Sequence, residues 1–184
     1  SIFNFDSAIA SAASRMTAAA GNRPCLEMGA RRAHEQGAVA AARAAVIAGF
    51  KGTSNLEAGR IYDIPVIGTS AHAFTLLHDS EEEAFTAQVS ALGVGTTLLV
   101  DTYDVTAGVN TAIRVAGTEL GAVRLDSGDL GEQAIEVRKQ LDSLGAKNTL
   151  ITTTPDPAAR APPALAPAPR APSARGTELA AGSG

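Results

Sequence analysis

Apolar and polar positions alternate along residues 5–154 in a regular rhythm of short runs and longer amphipathic stretches. Residues 5–20 are Ala-rich and helical in character, and 24–28 (PCLEM) form a short strand candidate. Residues 34–50 are dense in Ala and close on Gly49, which predicts a helix with a glycine stop. A short helix is expected over 55–61 with Ser54 or Asn55 as its cap, then a strand over 64–67. Helices follow over 71–78 and 80–92, the second with Ser80 and Glu83 at capping-box spacing. Beyond lie a buried strand at 96–100, a helical stretch at 105–117 and a strand at 122–125. The last pair is an amphipathic helix over 130–145, with Ile135, Val137, Leu141 and Leu144 apolar, and a strand at 149–153. Strand and helix in regular alternation imply an α/β protein with parallel strands.

After Thr154 the pattern stops. Residues 155–175 carry seven of the nine prolines in the chain, and proline is excluded from helix interiors and central strands. Taken alone, this stretch reads as an extended Pro/Ala linker.

Composition narrows the picture. Of 184 residues, 45% are hydrophobic and 18% charged, enough for a packed core and too apolar for wholesale disorder. With no Trp and 4% aromatics, that core must be aliphatic. A net charge of -4 and the lack of a basic run exclude a nucleic-acid binder. No apolar stretch is long enough to span a membrane, and the first residues lack the layout of a secretory signal. A lone cysteine, Cys25, excludes an internal disulfide and fits a cytoplasmic protein; within a strand candidate it reads as core rather than nucleophile. The start at Ser1 without Met and the end on AAGSG are expected to be cut ends.

The candidate chemistry follows the strands. Gly29-Ala30-Arg31-Arg32, Lys51-Gly52-Thr53-Ser54-Asn55, Gly68-Thr69-Ser70-Ala71-His72, Asp101-Thr102-Tyr103-Asp104 and Asp126-Ser127-Gly128-Asp129 each sit where a strand or its equivalent ends and a helix begins. One such cluster is a turn with a helix cap; five in register are the layout of an α/β-barrel active site. Gly-Thr and Gly-Ser turns offer N–H groups and hydroxyls to phosphate, and Arg31 and Arg32 suit phosphate or carboxylate. Asp101, Asp104, Asp126 and Asp129 are hard oxygen donors for Mg²⁺ or acceptors for ribose hydroxyls, with no direct metal ligand assigned among them. The set fits a phosphorylated sugar with a metal, and neither a Walker loop nor a Rossmann fingerprint is present. His72, after a Gly-Thr turn, is a candidate nucleophile or proton carrier, with a hydrogen-bonded structural role as the alternative. His34 and His78 lie in helical patterns and read as structural or exposed; the three histidines have no zinc spacing. Glu81-Glu82-Glu83 reads as a solvated first turn.

The stretches LEMGARRAHE, AGFKGTSNLEAG, IPVIGTSAHAFTLLHDSEEEAF, TTLLVDTYD and VRLDSGDL together resemble the nicotinate phosphoribosyltransferase family, in its actinobacterial form, over about residues 5–154. GTELAAGSG at 176–184 is similar to a further family stretch. The resemblance implies an irregular parallel α/β barrel of the type II phosphoribosyltransferase kind, incomplete at both ends, and a homodimer when full length. It implies formation of nicotinate mononucleotide from nicotinate and phosphoribosyl pyrophosphate in NAD salvage, with ATP hydrolysis and Mg²⁺. It makes His72 the residue phosphorylated by ATP. Arg31 and Arg32 would hold carboxylate or phosphates; Arg124 and Asp126, catalytic alongside His72, would line the ribose and pyrophosphate region with Ser127 and Asp129; Thr53, Ser54, Asn55, Thr69 and Asp101 would stand on the same rim. Gly176 and Thr177 would belong to a 5′-phosphate loop.

By the same resemblance, residues 1–154 are a partial barrel, 155–175 an anomalous insert in place of a barrel helix and strand, and 176–184 a remnant of the phosphate loop. Because the flanking matches resume without a length change, and Ala, Pro and Arg have GC-rich codons, two compensating frameshifts are the expected origin of 155–175. The coding DNA read in its other two frames tests this. Two alternatives stay open: an inactive relative that only pairs with a partner barrel, and a related phosphoribosyltransferase acting on nicotinamide or quinolinate.

Overall fold

The computed structural model describes residues 2–154. The anomalous segment 155–175, the 176–184 stretch and with it Gly176 and Thr177 lie outside the described residues. The described residues form seven α-helices and five strands, in the order α1 (Ile2–Ala20), β1 (Leu26–Glu27), α2 (Glu35–Ile47), β2 (Gly52–Thr53), α3 (Leu56–Tyr62), α4 (His72–Leu76), α5 (Glu81–Leu92), β3 (Thr97–Leu99), α6 (Val105–Ala116), β4 (Ala122–Leu125), α7 (Leu130–Ser143) and β5 (Leu150–Thr153). A 3-10 turn, Ala30–Arg32, follows β1.

Every strand pairing among the described residues is parallel. β1 pairs with β2, and β3-β4-β5 form a three-stranded sheet in register Thr97–Ala122–Leu150. The expected α/β class with parallel strands is therefore present. The described strands form two separate sheets, so a closed barrel is not formed among them. The strand expected at 64–67 is reduced to one bridge, Thr53 to Val66. Pro65 has no N–H to give; its carbonyl accepts from Thr53 N at 3.0 Å, and Ile67 N returns a bond to Thr53 O at 3.0 Å. β2, which the hydrophobic pattern did not announce, is a polar Gly-Thr pair buried between β1 and this segment.

Four helix starts are fixed by side chains. Asn55, Ser80, Asp104 and Asp129 accept from backbone N–H groups in the first turns of α3, α5, α6 and α7. The main core lies between the three-stranded sheet and α5–α7: Phe85, Leu98, Val100, Val109, Leu120, Val123, Leu125, Val137 and Leu141. α6 reaches the sheet so closely that Gly108 leaves no room for a side chain beside the Val100 carbonyl. That packing fixes the chain just where Asp101 leaves β3. No helix among the described residues is long and apolar enough to cross a membrane.

Candidate active site

Parallel pairing puts the C-terminal ends of β3, β4 and β5 on one edge of their sheet, and the polar residues after those ends meet there. Asp101, one residue past Val100, has a side chain only 1% exposed. Its Oδ2 accepts from Asp126 N at 2.7 Å and from Ser127 Oγ at 2.8 Å. Its Oδ1 lies 3.1 Å from His72 Nε2. A buried carboxylate is costly unless its lone pairs are filled, and here all three partners come from other segments. The carboxylate only accepts, so in the neutral imidazole the proton stays on Nε2 and the lone pair is on Nδ1. Nδ1 faces Asp126 Oδ2 at 4.0 Å, beyond hydrogen-bonding distance, and the His72 side chain is 39% exposed.

Arg124, third residue of β4, is the second buried charge. Its Nε donates to Thr154 Oγ1 at 2.9 Å, Nη1 to Thr69 Oγ1 at 2.6 Å and to Ser70 O at 3.4 Å, and Nη2 to Asp126 Oδ1 at 2.9 Å. One guanidinium fork thus ties the ends of β4 and β5 to the 68–71 loop that leads into His72.

The expected site residues divide. His72, Thr69, Asp101, Arg124, Asp126 and Ser127 form one bonded network. Asp129 stands exposed at the start of α7, its Oδ1 taken by Gly131 N and Glu132 N. Thr53 is fully buried; its hydroxyl donates to Glu27 Oε2 and accepts from Asn55 N at 3.0 Å. Asn55 caps α3 through Ala58 N at 2.9 Å. Ser54 N donates to Glu27 O, leaving its side chain half-buried beside that turn. Arg31 and Arg32 are exposed on the 3-10 turn, and among the described residues no ion pair joins either to the network.

His78 is structural, with Nδ1 2.8 Å from Phe74 O, and His34 is exposed ahead of α2. Cys25 is half-buried, and burial pushes its thiol pKa up, which disfavours the nucleophilic thiolate. The 81–83 triplet is not uniformly solvated. Glu82 and Glu83 are exposed, but Glu81 is tucked in, and burial first, then Asp104 and Asp101, push its carboxyl pKa up. Among the described residues, no cluster of three or more His, Cys, Asp or Glu side chains is arranged to cage a metal.

Three contributors escaped the sequence reading. Glu27 is buried and holds both Gly29 N and Thr53 Oγ1; the one signal was an acid inside an apolar strand candidate. Thr154 binds Arg124. Gln88 is buried on α5 and bonded to Ser70; a polar residue in the register of Ala84 and Phe85 was its only trace.

A hollow of about 280 Å³ lies beside the network, between the two sheets, lined by Leu26, Met28, Ile67, Thr69, Thr97 and Thr152 among others. Its lining is mainly apolar, with hydroxyls from Thr69, Thr97 and Thr152.

A family model described as the nicotinate phosphoribosyltransferase (NAPRTase) family matches residues 24–153. The chain is 61% identical over 164 residues to nicotinate phosphoribosyltransferase pncB1 of Mycobacterium tuberculosis, covering 85% of this chain and 37% of that protein. It is 40% identical to nicotinate phosphoribosyltransferase of Bacillus subtilis, covering 84% of this chain and 33% of that one. The chain thus spans about a third of the length of these relatives. Among solved structures, human nicotinic acid phosphoribosyltransferase superposes with a TM-score of 0.69 at 28% identity, over 81% of this chain and 42% of that one. Nicotinate-nucleotide pyrophosphorylase from Pyrococcus furiosus superposes with a TM-score of 0.75 at 28% identity, over 83% and 42%. With its site network lying almost wholly within the matched residues, this chain belongs to the nicotinate phosphoribosyltransferase family.

Proposed function

We propose that this chain carries the phosphoryl- and ribose-handling part of a nicotinate phosphoribosyltransferase. The reaction joins nicotinate to phosphoribosyl pyrophosphate, giving nicotinate mononucleotide and pyrophosphate, and couples it to ATP hydrolysis in NAD salvage. The two parallel sheets are arcs of one irregular α/β barrel, with the polar network at the C-terminal strand ends. The observation that carries the reading is the fixed imidazole: Asp101 holds Nε2–H, which leaves Nδ1 without a hydrogen bond, 4.0 Å from Asp126 Oδ2, on a side chain that is 39% exposed.

In the phosphoryl step, His72 Nδ1 attacks the γ-phosphorus of ATP. An N–P bond forms, the bridging P–O bond breaks, and ADP leaves. Asp101 stabilises the positive charge that grows on the ring, the role a carboxylate plays behind a nucleophile-activating histidine. Water later cleaves the N–P bond and returns the imidazole. In the transfer step the C1–O bond of the sugar breaks with oxocarbenium-like charge, and the pyridine nitrogen attacks from a held position. Arg31 and Arg32, exposed and unpaired with any described carboxylate, are available to the substrate carboxylate or phosphates. Ser127 and Asp129 line the ribose side, and the resemblance assigns Gly176 and Thr177, outside the described residues, to 5′-phosphate binding. Mg²⁺ would fit this donor set: Asp101 is spent on protein partners, and Asp126 Oδ2, 4.0 Å from His72 Nδ1, is left to help hold the ion. That matches an ion held by one or two carboxylates plus substrate phosphates, where it neutralises pyrophosphate charge. The full-length enzyme is read as a cytoplasmic homodimer.

Incubation with γ-labelled ATP and Mg²⁺ tests the phosphoryl step. Acid-labile label is expected on the chain and lost in His72→Ala. A folded chain that takes no label, or a His72→Ala variant labelled as fast as the parent, overturns it.

A further inference from the structure

One side chain of α5 reaches the site from behind. Gln88 lies on the helix face that carries Ala84 and Phe85 into the core, and is only 5% exposed. An amide buried at such a position is destabilising unless its donors and acceptor are bonded. Here they are. Nε2 donates to Thr97 O at 2.8 Å and to Thr96 Oγ1 at 2.9 Å. Thr97 O accepts only, which fixes the amide orientation: Nε2 faces β3, and Oε1 faces the 68–71 loop. Oε1 accepts from Ser70 Oγ. The Ser70 hydroxyl proton is therefore committed to Gln88.

Ser70 is two residues before His72 and is held from its other side, because its carbonyl accepts from Arg124 Nη1 and its neighbour Thr69 accepts from the same nitrogen. The loop is gripped between a cation at the strand ends and an amide rooted on β3. β3 is also the strand that delivers Asp101. Both halves of the His72–Asp101 contact thus refer to one strand: Asp101 by chain continuity, His72 through Ser70 and Gln88.

We propose that Gln88 and Ser70 form a latch that sets the position of the His72 ring against Asp101, making Gln88 a positioning residue for the phosphoryl-accepting histidine. The proposal rests on the reading of His72 as that histidine, but the latch has its own readout.

The test compares Ser70→Ala, Gln88→Leu and Thr96→Val in the 184-residue chain. Thr96→Val removes one of the two Gln88 bonds that do not touch the loop and serves as the structural control. The ring nitrogen signals of His72, followed by two-bond proton–nitrogen NMR, report its bond to Asp101 without ATP. Ser70→Ala and Gln88→Leu are expected to move those signals in the same direction. Their combination should move them no further than the larger single change, because both cut one bond, while Thr96→Val leaves them in place. Labelling by γ-labelled ATP should slow by about tenfold to a hundredfold per folded molecule in the first two, since small misplacements of a reacting group cost that much, and by less than twofold in the control. Unmoved His72 signals in Ser70→Ala, or signals moved as far by Thr96→Val, would sink the latch; Ser70→Ala keeps the test open if Gln88→Leu does not fold. Latch-like shifts in a chain that takes no label would support the latch and overturn the phosphohistidine.

Discussion

The two halves of the described chain are built on different scales. From α5 onward, three- and four-residue strands carry Leu98, Val100, Val123 and Leu125 into a core closed by Phe85, Val109, Val137 and Leu141. Before it, two-residue strands support a helical layer whose buried face is Ala38, Ala42, Ala44, Ala45 and Ala58. The same front half exposes Met16, Ile47, Leu56, Ile61 and Tyr62, Leu56 at 75%. Alanine packs backbones closely but buries little area, so the front half gains less per residue. The chemistry follows this division. The bonded network hangs from the back sheet, and the front half reaches it through one loop, 68–72, gripped by Arg124 and Gln88.

The largest expected effect comes from cutting that grip. Arg124→Met leaves the Asp126 carboxylate half-enclosed without its cation and frees Thr69, Ser70 and Thr154 together. Breaking a buried ion pair from one side costs about 3–5 kcal/mol. Urea melts should show that loss, and a variant within about 1 kcal/mol of the parent would mean the halves are held elsewhere. Leu98→Ala and Leu56→Ala then compare the halves directly. Leu98 is fully buried in the back core; truncation there should cost about 2–5 kcal/mol. Leu56→Ala should stay within about 0.5 kcal/mol. Equal losses would mean that the front surface is covered in solution.

The back half was the more legible for the same reason. Ala122–Leu125 is buried throughout, its three apolar residues mark the strand despite Arg124, and the Asp-Ser-Gly-Asp after it ends the strand where the structure does. In the front half, Gly52–Thr53 is a strand by virtue of its neighbours, since glycine is depleted in strands and a single Thr beside it is too short a run to announce one. The 64–67 run has the apolar look of a strand, but Pro65 and a partner only two residues long leave one bridge. The site divided similarly. His72, Asp101 and Asp126 belong to the polar clusters that follow strand candidates, where spacing singles them out, while Arg124, inside β4, was named through the family resemblance. Gln88 and Glu27 act from behind, through bonds to residues 18 and 26 positions away, which no local pattern encodes.

One substitution should change sign between the halves. Gly108→Ala in α6 puts a methyl 2.3 Å from the Val100 carbonyl oxygen, a backbone atom that cannot swing aside. Overpacking of this kind costs about 1–3 kcal/mol, more than the helix-propensity gain of about 1 kcal/mol. Gly37→Ala in α2 meets only Phe5 Cζ at 3.8 Å, ordinary contact. It should stabilise by about 0.5–1 kcal/mol. Thermal melts of the two variants moving in the same direction would contradict the packing contrast.

The smallest effect concerns the seam between α5 and the site. Glu81 begins α5, where the helix dipole favours a negative charge by about 0.3–1 kcal/mol. Its Oε1 is buried with no hydrogen-bond partner, and desolvation together with Asp104 and Asp101 outweighs the dipole, so the carboxyl pKa stands above its ordinary value. The folded chain then holds this proton more tightly than the unfolded chain does. At pH below the ordinary carboxyl value both states are protonated, and the folded state carries no penalty. As pH rises through the raised pKa, the folded state must ionise Glu81 beside two carboxylates, and the stability that the bound proton contributed is lost. Glu81→Gln keeps the shape and removes the charge. Its melting temperature should exceed the parent's at pH 7, and the gain should shrink toward zero near pH 4. A gain that is the same at both pH values would show that the carboxylate is already relieved, by a cation or by rotation into solvent, and that the crowding of acids behind His72 is no strain on the fold.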